Sequence, residues 1–223
     1  MTGTDETLVI DIVSDVVCPW CYLGEKRLDA ALADEPQPVV LRWRPYQLDP
    51  TIPEGGLDRR EYMEKKFGKS DRLRAVHDNL VRLGAEVGLS FAFDRIERAP
   101  NTLDAHRLIR WSDSAGAQRA VVDRLFKAYF VEGRDIGDRA VLIDIARESG
   151  LDAGLVEKLL SEDVDKDAVR REIAEAQSIG VTGVPFFIFA GRLAVPGARN
   201  ADVLRRAIAE ATGDEGGCGV AFP

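Results

Sequence analysis

Hydrophobic spacing changes character twice along the chain. Leu8-Val9-Ile10-Asp11-Ile12-Val13 is β-branched and mostly apolar, as expected of a strand buried inside a sheet. Leu23, Leu28, Ala31 and Leu32 then form a stripe at helical spacing, which Pro36 and Pro38 end. Val39 to Trp43 is strand-like again and halts at Pro45. A strand–helix–strand succession closes as a right-handed crossover between parallel strands.

From about Leu57 to Ile179 the period is helical. Asp71 to Val87, Thr102 to Asp113, Gln118 to Phe130, Arg139 to Ser149 and Asp165 to Ile179 all carry helix-like apolar spacing, punctuated by glycines such as Gly68, Gly88 and Gly116. Strand character returns at Pro185-Phe186-Phe187-Ile188-Phe189. Ala190-Gly191 signals a turn, and Arg192 to Val195 make the partner strand of a hairpin. Asn200 reads as the N-cap of a last helix, Ala201 to Ala211. The order βαβ, many helices, ββα predicts an α/β fold interrupted by a helical insertion. On that reading residues 6–56 and 180–212 form a discontinuous sheet domain, 57–179 an inserted all-helical domain, and 213–223 a mobile glycine-rich tail.

Composition narrows the partners. The chain has 223 residues, 45% hydrophobic and 30% charged, an ordinary globular balance. A net charge of −8 repels phosphate backbones, and the arginines are interleaved with acids, so no nucleic-acid partner is expected. Met1 to Thr7 carries neither a basic n-region nor an apolar core, and no apolar run approaches the roughly 20 residues that span a bilayer. The expectation is a cytoplasmic protein without a membrane partner, in a compartment that keeps thiols reduced. Three cysteines cannot pair completely; a close pair plus an outlier suggests redox or metal chemistry.

That pair is Cys18-Pro19-Trp20-Cys21, directly after the first strand. Pro19 suits the first helical turn, where its fixed φ fits and its missing N–H is no loss. Cys18 then sits at or beside the N-cap, and its sulfur faces free backbone N–H groups and the positive end of the helix dipole, both favouring thiolate. Cys21, three residues on, shares that face and can serve as the resolving thiol. Zinc would need a second pair of ligands at motif spacing; Cys218, His77 and His106 do not supply one, so no metal is expected. A structural disulfide suits neither a reducing compartment nor so small a loop. Cys218 in the tail is either incidental or a third exchanging thiol.

Cys18-Pro19-Trp20-Cys21 behind a first strand, with a late Val184-Pro185 before a hairpin and terminal helix, resembles the thioredoxin superfamily. The helical insertion points to its DsbA-like members. Ser14 to Gly24, Arg44-Pro45-Tyr46-Gln47-Leu48-Asp49-Pro50 and Asn101 to Leu108 are similar to the FrnE-type branch, whose members are largely cytoplasmic; the likeness runs from about Leu8 to Ala211. The resemblance implies a thioredoxin-like fold and a thiol–disulfide oxidoreductase with Cys18 and Cys21 as catalytic residues. It also implies a cis Pro185 stacked beside the pair, where the residues alone suggest an ordinary trans bond. The Val184 backbone would then be free to pair with an extended substrate. Pro19 and Trp20 complete the motif.

Three departures from the pattern matter. Ile12 stands where related proteins place a proton-relaying carboxylate in the first strand; Asp15 is the substitute, or else a solvated turn residue. Trp20 occupies the dipeptide position where strongly oxidising DsbA proteins carry histidine, so it adds no positive charge near Cys18. Val195-Pro196-Gly197-Ala198-Arg199 matches the family's post-hairpin loop only at Gly197 and Ala198. His106 could line the groove over Cys18 or be a packed core histidine; Asn101 could hold substrate or be a cap before the helix. Trp43 and Trp111 read as core, His77 as solvated.

Substrates are expected to be protein or low-molecular-weight thiols and disulfides. No cofactor is expected beyond the redox pair itself, with glutathione as a candidate co-substrate, and a homodimer stays open. Competing readings are a glutathione-dependent isomerase or transferase, of the chromene-carboxylate isomerase or kappa-class type, and a holdase-like chaperone.

Overall fold

The computed structural model describes residues 7–68 and 71–213. Cys218 and the glycine-rich tail lie outside the described residues, apart from Gly213, the left-handed C-cap of the last helix.

The sheet is built from both ends of the chain. Strand β1 (Leu8–Ser14) runs parallel to β2 (Val39–Pro45) and antiparallel to β5 (Phe186–Phe189), which pairs antiparallel with β6 (Leu193–Pro196), in the order β2-β1-β5-β6. Ile12 lies opposite Trp43 on one side and Phe187 on the other. The central strand β1 is largely buried, which accounts for its nearly unbroken apolar run. Helix α1 (Pro19–Leu32) joins β1 to β2, and α9 (Ala201–Thr212) packs against α1. Asn200 caps α9 by accepting the Val203 N–H.

Between β2 and β5 the chain forms β3 (Leu57–Asp58), α2 (Arg59–Phe67), α3 (Asp71–Ala85), a 3₁₀ turn (Phe93–Arg95), β4 (Arg98–Ala99) and five further helices. These are α4 (Leu103–Asp113), α5 (Gln118–Phe130), α6 (Arg139–Glu148), α7 (Ala153–Ser161) and α8 (Lys166–Ser178). The expectation of an all-helical insert is corrected by β3 and β4, which pair antiparallel as a ribbon two residues deep. Strands that short leave no alternation to read. Helix α2 buries no residue, so it has no apolar stripe either.

The largest core cluster draws on both parts of the chain. Ile10, Ile12, Leu23 and Leu28 join Phe187 and Leu204 with Leu108, Leu125, Phe126 and Leu142 of the insert. Tyr22 of α1 stacks on Phe126 of α5 at 4.9 Å between ring centroids and meets Phe91 edge-on at 6.0 Å. Gln118 of α5 closes part of the outer edge of β2: its Oε1 accepts the Trp43 N–H at 2.9 Å and its Nε2 donates to the Trp43 carbonyl at 3.4 Å. Fully buried Arg107 ties α4 to the end of α7 and the α7–α8 connection, donating to the carbonyls of Leu159, Glu162 and Val164, each at 2.6 Å. Buried peptide carbonyls need such a donor.

Candidate functional site

Sequence places Cys18 at the mouth of α1, and packing determines what surrounds it. Cys18 is the N-cap, with φ −92° and ψ 112°, and Pro19 lies in the first turn. The Cys18 N–H donates to the Asp15 carbonyl at 2.9 Å, and the Cys18 carbonyl accepts the Cys21 N–H at 3.0 Å. These bonds set both cysteines on one turn. Cys18 Sγ lies 3.6 Å from the carbonyl oxygen of Val184, 166 residues away in sequence. The Val184–Pro185 peptide bond is cis.

The Pro185 segment is held from two directions. Helix α1 reaches it because residue 24 is glycine: a Cβ there would stand 2.9 Å from Cγ of Pro185 and 3.2 Å from the Phe187 ring. The Gly197 N–H donates to the Pro185 carbonyl at 2.8 Å, and Arg27 of α1 donates to the Ala198 carbonyl at 2.7 Å. The loop that departs from the family pattern at Pro196 and Arg199 thus supports the cis-proline through Gly197 and Ala198, where it matches. Gly24 and Arg27 are supports that sequence reasoning missed; the mid-helix glycine, otherwise costly, was the available signal.

The two thiols differ in environment. Both are buried and neither is in a disulfide. Cys18 and Val184 line a cleft of about 710 Å³, and Cys21 lies behind them, outside its lining. Burial pushes the Cys21 thiol well above its ordinary pKa, the adjacent Cys18 sulfur adds to this, and contacts to Ser14 and the Asp15 backbone oppose it. One sulfur faces the cleft, and the other is held as a thiol.

Asp15 is 1% exposed, which removes the solvated-turn reading. Its Oδ2 accepts the Leu48 N–H at 2.8 Å, and among the described residues its buried Oδ1 has no hydrogen-bond partner. His106 Nε2 stands 3.4 Å from that Oδ1 and donates to the Tyr46 carbonyl at 2.8 Å. His106 does not line the groove over Cys18. It is buried and borders a second cleft of about 310 Å³ with Ser14, Trp43 and Arg44. Asn101 is likewise a structural tie: its Nδ2 donates to Ile52 and its Oδ1 accepts from Leu103 N and Gln47 Nε2. Trp43 is core, and half-buried Trp111 donates through Nε1 to Asp165 at 2.9 Å.

The cleft around Cys18 is bordered by the motif's own Trp20 and by side chains from the loop after β2 and from helices α2 and α3. Trp20, Leu48, Phe67 and Val76 supply apolar surface, and the last three are among the exposed large hydrophobic side chains. His77 also corrects its expectation. It lines the cleft, stacked on Phe93 at 4.2 Å, and burial followed by the positive charge of Arg59 lowers its pKa. Among the described residues no group of three or more His, Cys, Asp or Glu could hold a metal ion, and no helix is long and apolar enough to cross a membrane.

A Cys-x-x-Cys at the start of the first helix, against a cis-proline that leads into an antiparallel strand of this sheet, is a thioredoxin-like arrangement. A family model described as the DSBA-like thioredoxin domain matches residues 9–209, and the chain belongs to that family. A solved structure of a "probable DsbA oxidoreductase" from Streptomyces coelicolor is 31% identical, with a TM-score of 0.85 over 96% of this chain and 93% of that one. The uncharacterized protein YwbO of Bacillus subtilis is 28% identical over 208 residues, 92% of this chain and 97% of YwbO. A 2-hydroxychromene-2-carboxylate isomerase has a similar fold, with 19% identity and a TM-score of 0.69 over 91% of this chain and 95% of that one.

Proposed function

We propose that the chain is a thiol–disulfide oxidoreductase whose Cys18-Pro19-Trp20-Cys21 pair exchanges disulfides with protein or small-thiol substrates. The observation that carries the proposal is the Cys18 sulfur, 3.6 Å from the Val184 carbonyl beside the cis Pro185, at the edge of an open cleft. In the reducing direction the Cys18 thiolate attacks one sulfur of a substrate disulfide. The substrate S–S bond breaks, a mixed disulfide forms, and the departing thiolate takes a proton. Cys21 then gives up its proton and attacks the Cys18 sulfur. This releases the second substrate thiol, closes the Cys18–Cys21 disulfide and completes the transfer of two electrons to substrate. The reverse sequence oxidises a dithiol.

Each surrounding group has a part in this scheme. The backbone of Val184 offers an edge against which an extended substrate lies as an added strand. Trp20, Leu48, Phe67 and Val76 give it an apolar bed. Asp15, whose buried Oδ1 has no hydrogen-bond partner among the described residues, receives the Cys21 proton in this scheme, a task Ile12 cannot perform. The proposal places the enzyme in the FrnE-type branch and in the cytoplasm, where a reduced pair is maintained.

Insulin reduction with Cys18→Ser and Cys21→Ser variants tests the reading. Cys18→Ser should abolish turnover, and Cys21→Ser should accumulate a mixed disulfide through Cys18. Undiminished turnover in Cys18→Ser would refute it. Glutathione-dependent isomerisation or aggregation suppression that survives in Cys18→Ser would instead assign the chain to the transferase-like or holdase class.

A further inference from the structure

We infer that the cleft over Cys18 selects disulfides whose substituents carry a carboxylate, and that Arg59 is the residue that recognises it. This rests on the redox reading above and adds the chemical class of the substrate.

Arg59 is the first residue of α2 and lines the same cleft as Cys18 and Val184. The start of that helix is fixed without its side chain: the Arg59 N–H donates to the Glu97 carbonyl at 2.9 Å, and Asp58 caps the helix by accepting the Glu61 N–H. The guanidinium is beside the Tyr129 hydroxyl, which itself donates to the Arg98 carbonyl at 3.1 Å. Among the described residues no ion pair engages Arg59.

Among the described residues, the other charged side chains lining the cleft are wholly or partly engaged. Lys66 is 3.6 Å from Asp49 and donates to the Tyr62 hydroxyl at 2.6 Å. Asp49 also accepts from Tyr62 at 2.9 Å. Asp15 is buried, with Oδ2 taken by the Leu48 N–H. His77 is stacked on Phe93 and, with its pKa lowered, presents a neutral ring at neutral pH. Among the described residues, Arg59 is thus the cleft cation without a carboxylate partner, its guanidinium resting on the neutral Tyr129 hydroxyl, on a chain of net charge −8.

The surroundings strengthen a pair formed there. Apolar neighbours such as Leu48, Phe67 and Val76 lower the local dielectric, and a planar guanidinium binds carboxylate through paired, charge-assisted hydrogen bonds. The volume of about 710 Å³ falls within the roughly 300–1,000 Å³ typical of small-ligand sites. A substrate carboxylate held at Arg59 stays chemically unchanged while the disulfide meets Cys18. The reduced pair supplies both electrons, so one turnover needs no further reactant.

The test uses the full chain, pre-reduced, with three small disulfides of similar reach: anionic dithiodipropionate, neutral hydroxyethyl disulfide and cationic cystamine. Oxidation of the Cys18–Cys21 pair is followed by acid quench, alkylation and mass spectrometry. Each rate is divided by that of the same disulfide with free dithiothreitol. The parent should favour dithiodipropionate over cystamine, with the preference shrinking at high ionic strength. Arg59→Gln should cut the dithiodipropionate-to-hydroxyethyl ratio by roughly ten- to a hundredfold, the span of a charged hydrogen bond, and Arg59→Lys should restore part of it. An unchanged ratio in Arg59→Gln, or a parent indifferent to charge, overturns the inference while the redox reading stands. A parent that reacts with none of the three overturns the redox reading and this inference with it.

Discussion

Gly24 and Pro185 meet so closely that no side chain fits between helix α1 and the cis-proline: a Cβ on Gly24 would come within 2.9 Å of Pro185 Cγ. On the far side the Gly197 N–H holds the Pro185 carbonyl, so the proline ring cannot retreat freely. Gly24→Ala should therefore destabilise the protein by about 1–3 kcal/mol, as overpacking does, despite the better helix propensity of alanine. It should also slow disulfide exchange. Urea unfolding midpoints with exchange rates on the same samples check this; an alanine variant as stable as the parent would mean the contact is slack.

Cys21 gives the exchange a pH dependence of known sign. Its thiol pKa is raised by burial and by the Cys18 sulfur, so the resolving step is starved of thiolate at neutral pH. Decay of a mixed disulfide formed on Cys18 should keep accelerating as pH rises past the ordinary thiol value of about 8.5. Stability of the reduced protein runs the other way. The Cys21 contribution is fully present below that ordinary value and is lost as pH rises through the higher folded-state value. Asp15→Asn should slow the decay at neutral pH, and an unchanged rate eliminates Asp15 as the proton acceptor.

Trp20 bears on the direction of the reaction. An indole next to Cys18 brings no charge, in contrast to a histidine, so the reduced form gains less stabilisation than in a strong oxidant. The reduction potential should lie nearer the thioredoxin value of roughly −270 mV than the DsbA value of roughly −120 mV. Trp20→His should raise it. Equilibration of both proteins against a glutathione series measures this, and a parent value near DsbA's would contradict it.

Glu25 of α1 is 2% exposed, and by geometry neither of its carboxyl oxygens has a hydrogen-bond partner among the described residues. Burial first, then the negative charge of Asp123, raises its pKa well above normal, while Lys26, 4.0 Å away, opposes this. A raised folded-state value means that the stability Glu25 contributes is present below the unfolded value of about 4.3 and is lost as pH rises through the folded one. Glu25→Gln has no proton to lose. It should gain on the parent as pH goes from acid to neutral, visible as a widening gap in unfolding midpoints. A gap that does not change with pH would show the carboxyl ionises normally.

Local signals made part of this protein readable without its structure. The apolar run of β1, the stripe of α1 and the Phe-rich hairpin each report burial through the period of their own side chains, and Pro19 marks the start of α1 behind Cys18. The all-helical reading of the insert failed where a strand was two residues long. His77, His106 and Asn101 were misread or left open because a polar residue has the same sequence signature whether water or a distant element surrounds it.

What sequence determined by itself is the order of strands and helices and the position of Cys18 and Cys21 on one helical turn, because these depend on residues within a few positions of each other. Tertiary structure decided that Val184 and Pro185 come to lie against Cys18, that residue 24 must be small, that Asp15 is buried, and that Arg59 looks into the cleft. Each of these is a contact between segments far apart in the chain. Their geometry follows from how the sheet and helices pack, and no local period encodes it.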